Sequence, residues 1–305
     1  MKVLICDPIS PAAVQRMRSK DIEVDVQDTI TPEKLLEVIP AYHAVVVRSR
    51  TKIRRNVLDA AKSLKVIVRG GVGVDNIDVD YAQAKGVRVL NTPAASSDSV
   101  AELTIAYIFA LARPIVQATE SLRGGKWEKS KFHGTEVQGK TLGIIGVGRI
   151  GMAVARRAAA LGMHVLGYDS RTVGPVPFMM MVALDDLLAR ADYITLHIPL
   201  TESSHHMVDA AQIAKMKKGV KIIDCARGGV IDEDALYDGL VSGQVGGAAL
   251  DVFENEPLTD SKLFTLPQVV GSPHMGASTT EATERIGDEV AELLIEINQK
   301  GYSQG

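Results

Sequence analysis

Thr141-Leu142-Gly143-Ile144-Ile145-Gly146-Val147-Gly148-Arg149-Ile150-Gly151 is the stretch whose reading decides the fold. Its last glycines, Gly146, Gly148 and Gly151, have the spacing G-x-G-x-x-G. The first glycine permits a tight turn, the second lets backbone approach a pyrophosphate, and the third lets a helix pack close to a strand. That spacing alone is weak, so the flanks matter. Residues 141–145 read as a buried strand, residues 152–161 as an Ala-rich helix without proline, and residues 164–168 as the next strand, ending at Asp169. Asp169 follows the third glycine by roughly the 20 residues expected of an acid that binds a ribose 2′-OH. The N–H groups at the start of such a helix face an anion. The stretch therefore predicts a dinucleotide site in a β-α-β unit.

Length and composition agree with a large α/β protein. The chain has 305 residues, 46% of them hydrophobic, enough for two cores, and two domains are the soft expectation. A net charge of −3 gives no electrostatic case for nucleic acid as a partner. Two cysteines in dissimilar contexts, Cys6 and Cys225, argue against a disulfide framework and fit a reducing cytoplasm. Cys225, at a strand end, is expected to be a compact buried residue rather than a nucleophile. No secretory signal pattern opens the chain, no apolar run has the length of a membrane span, and no metal site is expected.

Outward from the glycine stretch, the pattern repeats on both sides. Residues 1–92 alternate strand and helix: strands at 2–6, 23–26, 44–47, 66–68 and 87–90, and helix starts at Ser10-Pro11 and Thr31-Pro32, each with a capping hydroxyl before a proline. This predicts a small parallel sheet wrapped by helices. A single long helix is expected over 99–122. Residues 93–275 are expected to carry the dinucleotide domain, with strands at 141–145, 164–168, 193–196, 221–224, 247–250 and 269–271. The last segment, 276–305, carries one helix over 279–299 with an apolar stripe at Ile286, Val290, Leu293, Leu294 and Ile297, whose expected target is the first domain. The fold class is α/β, with two Rossmann-like doubly wound domains, the first of them discontinuous. The Met cluster at 179–181 reads as adaptable packing.

A dinucleotide domain joined to a second domain suggests hydride transfer at a cleft between them, with the protein supplying a proton donor and a substrate clamp. Ligands bind beyond the C-terminal ends of strands in such sheets. Three residues follow strand ends there. Arg227, in Cys225-Ala226-Arg227-Gly228-Gly229, suits bidentate carboxylate binding. Glu256 lies in Asp251-Val252-Phe253-Glu254-Asn255-Glu256-Pro257, and His274 in Ser272-Pro273-His274-Met275-Gly276. A histidine backed by a carboxylate is a general acid–base pair. Taken singly, each is more often a surface ion pair or a structural side chain; of seven histidines, only His274 sits at a strand end with a carboxylate loop close upstream.

Several blocks along the chain, VRSRTKI, RGGVGVDNIDVDYAQAKGVRVLNTP, SVAELT, CARGGVIDEDAL, GGAALDVFENEP and SPHMGAST among them, resemble the D-isomer-specific 2-hydroxyacid dehydrogenases over essentially the whole length, and within that family its branch acting on D-3-phosphoglycerate. The resemblance implies catalytic roles for Arg227, Glu256 and His274. It implies that Arg48 and the backbone of Gly70, Gly71 and Val72 hold the substrate. It places Gly146, Gly148, Arg149, Ile150, Gly151, Asp169, His197, Pro199, Ala226, Asp251 and Gly276 against NAD, with Asp251 toward the nicotinamide amide. Ser96 stands where many relatives have an asparagine, and Val72 where some have threonine.

The implied reaction is NAD-linked oxidation of D-3-phosphoglycerate to 3-phosphohydroxypyruvate, the entry to L-serine synthesis. Arg48, Lys129 and Lys131 are candidate phosphate cations. The alternative is a reductase for glyoxylate, hydroxypyruvate or another small 2-oxo acid, using the same three residues. A reading from another class is an NAD(H)-binding corepressor-like protein; the intact Arg–Glu–His set counts against it. Asp169 favours NAD over NADP, whereas Arg171 weakens that preference because a nearby arginine takes a 2′-phosphate. A homodimer or dimer-based oligomer, formed through the cofactor domain near Trp127, is expected from the resemblance, and neither nucleic acid nor membrane is expected as a partner.

Overall fold

The computed structural model describes residues 1–171 and 173–301. The chain divides into two compact units, one formed by residues 1–96 with the segment from Ala277 onward, the other by Ser97–Gly276. The divisions fall a few residues from positions 92 and 275, so Pro93 to Ser96 lie with the first unit and Gly276 with the second. Residues 302–305, the end of the expected final segment, lie outside the described residues.

In the first unit, β1 (Lys2–Ile5), β2 (Glu23–Val26), β3 (Ala44–Val47), β4 (Val66–Arg69) and β5 (Arg88–Asn91) form a parallel sheet in the order β2-β1-β3-β4-β5. The intervening helices are α1 (Pro11–Arg18), α2 (Pro32–Val38), α3 (Arg55–Ala60) and α4 (Val79–Ala84). The hydroxyls of Ser10 and Thr31 cap α1 and α2, each with proline in the first turn, as the sequence predicts. Strand period 2 sends Val3 and Ile5 into one core, and Leu4 and Cys6 into the core on the opposite face. A parallel sheet covered on both faces reads as the unbroken apolar runs seen here.

The second unit opens with α5 (Ser97–Ala112) and α6 (Ile115–Arg123). The expected single helix over 99–122 is therefore two, bent by 67°. Pro114 lies at the break, where it removes a donor and biases Arg113 away from helical geometry. Seven parallel strands follow: β6 (Thr141–Ile145), β7 (His164–Tyr168), β8 (Met180–Met181), β9 (Tyr193–Leu196), β10 (Val220–Asp224), β11 (Val245–Leu250) and β12 (Val269–Gly271), in the order β12-β11-β10-β9-β6-β7-β8. The short edge strand β8 is additional to the six expected. It lies in the methionine run, where Met180 is exposed and Met179 packs into the core. Between the strands run α7 (Arg149–Ala160), α8 (Leu184–Arg190), α9 (Ala210–Lys215) and α10 (Glu233–Val241). Two apolar clusters cover the two faces of this sheet, one around Ile145, Ile194 and Ile222, the other around Ile144, Val154 and Ile223.

The final helix, α11 (Thr280–Lys300), returns to the first unit. Its buried Ile286, Val290, Leu294 and Ile297 join the core that holds Val14 and Met17 of α1; Leu293 of the expected stripe is only partly buried. Among the described residues no single helix is long and apolar enough to cross a membrane; the bent α5–α6 pair passes by length and composition, but α5 packs much of its surface into the core of its own unit.

Candidate active site

The sheet of the second unit reverses direction between β6 and β9, the switch point at which ligands of open α/β sheets bind. The loop after β6 meets the loop after β9 there. Gly146 has φ +95°, and a Cβ on it would meet the His197 carbonyl oxygen at 2.5 Å. A Cβ on Gly151 would collide with the Gly146 carbonyl. Gly148, at the N-cap of α7, faces open space, so backbone at Arg149 and Ile150 is approachable by an anion. These features fit the dinucleotide site read from the sequence.

Asp169, at the end of β7, accepts hydrogen bonds from Val147 N–H (2.9 Å) and Arg171 N–H (2.9 Å). The Arg171 guanidinium grips both carboxylate oxygens, with Nε at 2.9 Å and Nη2 at 3.0 Å. Those Arg171 bonds, first among the causes, hold the carboxyl well below the usual range. His197 donates to or accepts from the Thr195 hydroxyl through Nε2 (3.1 Å), while its Nδ1 is enclosed without a hydrogen-bond partner. Burial pushes this imidazole down to about 3, so it is neutral. Pro199 is exposed, and Ala226 is buried beneath the Arg227 loop.

The three expected catalytic residues come from loops after β10, β11 and β12. His274 Nδ1 lies 2.7 Å from Glu256 Oε2. The second carboxylate oxygen, Oε1, accepts the Phe253 N–H at 3.1 Å. Burial pushes the Glu256 carboxyl up, but the bond and charge of His274, helped by the Phe253 N–H, outweigh it and leave the group below its ordinary value. Glu256 is thus a carboxylate at neutral pH and orients the ring through Nδ1. The Arg227 loop lies flush against the Glu256 loop, because a Cβ on Gly228 would collide with the Phe253 carbonyl. His206 fastens the same two loops: its N–H donates to Gly229 O (2.8 Å) and its Nε2 lies 2.9 Å from Glu254 Oε1.

Beneath these loops are two buried carboxylates at neighbouring strand ends. Asp251, 1% exposed, accepts from the Ser272 hydroxyl, Met275 N–H (2.8 Å) and Gly276 N–H (2.8 Å). It therefore brackets His274, whose backbone is left-handed at φ +52°. Tyr107 of α5 hydrogen-bonds Ser272, and Ser99 of α5 donates to Gly276 O (2.6 Å). Asp251, expected to face a nicotinamide amide, thus also ties the His274 loop to the end of β11. Asp224, 2% exposed, accepts the Ala226 N–H (2.7 Å) and the Arg227 N–H. Sequence reasoning missed Asp224, Tyr107 and Ser272. The available signal was an acid closing an apolar strand, Ile222-Ile223-Asp224. Cys225 is buried and its thiol is pushed up, first by burial.

In the first unit, Arg48 follows β3; its N–H donates to the buried Asp7 (2.6 Å) and burial lowers its guanidinium pKa. Gly70 N–H donates to Val47 O (2.8 Å) and Gly71 N–H to the Thr92 hydroxyl (2.7 Å). The expected three-donor cradle is therefore corrected: two of its N–H groups are used inside the unit, and only that of Val72 is unengaged among the described residues.

The loops of the second unit thus bring together a glycine turn at the switch point, an acid after the next strand and a histidine–carboxylate pair with an arginine loop alongside. Residues 105–276 match the family described as D-isomer specific 2-hydroxyacid dehydrogenase, NAD binding domain. The chain is 50% identical to D-3-phosphoglycerate dehydrogenase of Methanocaldococcus jannaschii, covering 96% of this chain and 57% of that one. It is 48% identical to hydroxypyruvate reductase of Thermotoga maritima, covering 96% and 97%. A glyoxylate reductase structure from Paecilomyes thermophila superposes with a TM-score of 0.90 at 32% identity, covering 99% and 96%. The chain belongs to the D-isomer-specific 2-hydroxyacid dehydrogenase family, and its second unit is the NAD-binding domain. It spans little more than half the length of the phosphoglycerate dehydrogenase it matches.

Proposed function

We propose that the chain interconverts a D-2-hydroxy acid and its 2-oxo acid with NAD, and that the pair is D-3-phosphoglycerate and 3-phosphohydroxypyruvate, at the entry to L-serine synthesis. The observation that carries the chemistry is the 2.7 Å contact between His274 and Glu256. The Glu256 carboxylate holds Nδ1, leaving Nε2 to take the substrate hydroxyl proton during oxidation and return it during reduction. Glu256 also stabilises the imidazolium that results. Arg227 binds the substrate carboxylate and polarises the carbonyl. The bound nicotinamide supplies or accepts the hydride. The backbone at Gly148, Arg149 and Ile150 would hold the pyrophosphate, and Asp169 the adenosine ribose. Arg48 and the Val72 N–H contribute to holding the substrate.

Hydroxypyruvate reduction is the second reading. It is favoured by the 48% identity to a reductase of that name over nearly its full length, and by the pairing of Lys131, a candidate phosphate cation, with Glu128 at 2.6 Å. NADH oxidation with phosphohydroxypyruvate, hydroxypyruvate and glyoxylate, compared as kcat/KM, decides between them. If phosphohydroxypyruvate is not the best of the three, the phosphoglycerate assignment is wrong.

A homodimer through the second unit accompanies this reading. Ile115, Val116, Leu122 and Trp127, the last 82% exposed, are exposed apolar side chains on α6 and the loop after it. The two free cysteines fit work in the cytoplasm.

A further inference from the structure

Arg227 must present its guanidinium to a carboxylate from a loop, and loops hold a side chain only as well as their backbone is held. The backbone donors next to it are not paired with other backbone. Ala226 N–H donates to Asp224 Oδ1 at 2.7 Å, and Arg227 N–H bonds the same carboxylate. Asp224 closes β10 and is 2% exposed. Its own carbonyl accepts the Asp251 N–H at 2.8 Å, so the Arg227 loop and the strand leading to the Glu256 loop share one anchor. We propose that Asp224 is the positioning residue of Arg227, and that its negative charge, by strengthening the two N–H bonds at the strand end, holds the arginine in its carboxylate-binding position.

The charge at this place is ionisable within the working range. Burial, the largest influence, pushes the Asp224 carboxyl up to about 7, against the lowering effect of the Ala226 N–H and of Arg227. The groups facing it are few. Arg227 on its own loop favours the charged form, and Asp251 at the end of β11 disfavours it. Cys225 beside it is held as a thiol by burial. Leu196 of β9 pairs with Asp224 across the sheet, and His197, next along, is neutral. As pH falls through about 7, Asp224 becomes a carboxylic acid. A charge-assisted hydrogen bond is roughly twice as strong as a neutral one, so the loop is held less firmly. The substrate carboxylate then binds less tightly through Arg227, and the carbonyl is polarised less.

The inference rests on the reading of Arg227 as the carboxylate clamp. Its test is Asp224→Asn, which keeps the shape and an acceptor oxygen but removes the charge. At pH 8 the KM for hydroxypyruvate should rise about fivefold, the equivalent of ~1 kcal/mol, with any fall in kcat smaller than that rise. The ratio of mutant to wild-type KM should approach one by about pH 5.5, where wild type is neutral at this position as well. Taking the ratio cancels every other ionisation, which both proteins share. A ratio constant from pH 5.5 to 8.5, or a loss confined to kcat, overturns the proposal. NADH binding, followed by its fluorescence, should be the same in both proteins; if Asp224→Asn does not fold by that criterion, Asp224→Ser takes its place with the same expected ratio. If wild type reduces no 2-oxo acid, the functional reading fails. Binding of oxamate to the NADH-loaded proteins then decides the positioning role, with weaker binding to Asp224→Asn at pH 8 but not at pH 5.5 expected, and equal binding at both overturning it.

Discussion

Replacing Arg171 by alanine should move the affinities for NADH and NADPH in opposite directions. Asp169 is the acceptor for a ribose 2′-OH, but its two oxygens already receive Val147 N–H and Arg171 N–H together with Nε and Nη2 of Arg171. A 2′-OH must displace the guanidinium. That side chain is 74% exposed, and ion pairs with so exposed a partner are worth about 0–1 kcal/mol. Its removal should therefore tighten NADH by up to about fivefold. For NADPH the sign reverses. The guanidinium is the group that turns to a 2′-phosphate, and a hydrogen bond between charged groups is worth about 1.5–3 kcal/mol, so its loss should weaken NADPH by about 10- to 150-fold. Asp169, left unneutralised, repels the phosphate further. Titration of each nucleotide by fluorescence, repeated at high salt, measures both changes, and the NADPH effect should shrink as salt rises. Equal weakening of both nucleotides, or unchanged NADPH binding, refutes the idea that Arg171 sets the discrimination. Asp169→Ala should relax the preference for NADH.

His274→Ala should lower kcat by about 10²–10⁴-fold while leaving NADH affinity unchanged; near-full turnover would reject the acid–base mechanism. Asp224→Asn should also change stability with pH. Its folded pKa of about 7 is raised above the ordinary 3.8, so wild type is stabilised below about pH 4 and loses that contribution as pH rises to about 7. The asparagine variant does not titrate, and its stability relative to wild type should climb by up to ~4 kcal/mol between pH 4 and pH 8. Urea unfolding at several pH values reads this directly, and a flat difference would show that the buried charge is not the cause. Light scattering should give the mass of a dimer, lowered toward one subunit by Trp127→Asp; a wild-type mass of one subunit counts against the apolar side chains on α6 as an interface.

Much of this protein is legible in the chain alone. Strand period, capping hydroxyls before Pro11 and Pro32, and the glycines from Gly146 to Gly151 are local signals. They specify parallel sheets, helix starts and an anion-binding turn without reference to anything distant. Arg227, Glu256 and His274 were legible as strand-end residues, and their family blocks gave them roles. What the sequence could not show depends on contacts between loops far apart in the chain. Pro114 turned one expected helix into two. Gly70 and Gly71 were expected to offer donors, and the fold had already engaged them with Val47 and Thr92. Asp251 was expected at the cofactor, and only the fold shows that it also holds Ser272, Met275 and Gly276. Local pattern decides which backbone conformation a segment adopts and which face it buries. Only tertiary structure decides which partner satisfies each buried polar group, because that partner is chosen by the neighbouring strand end rather than by the neighbouring residue.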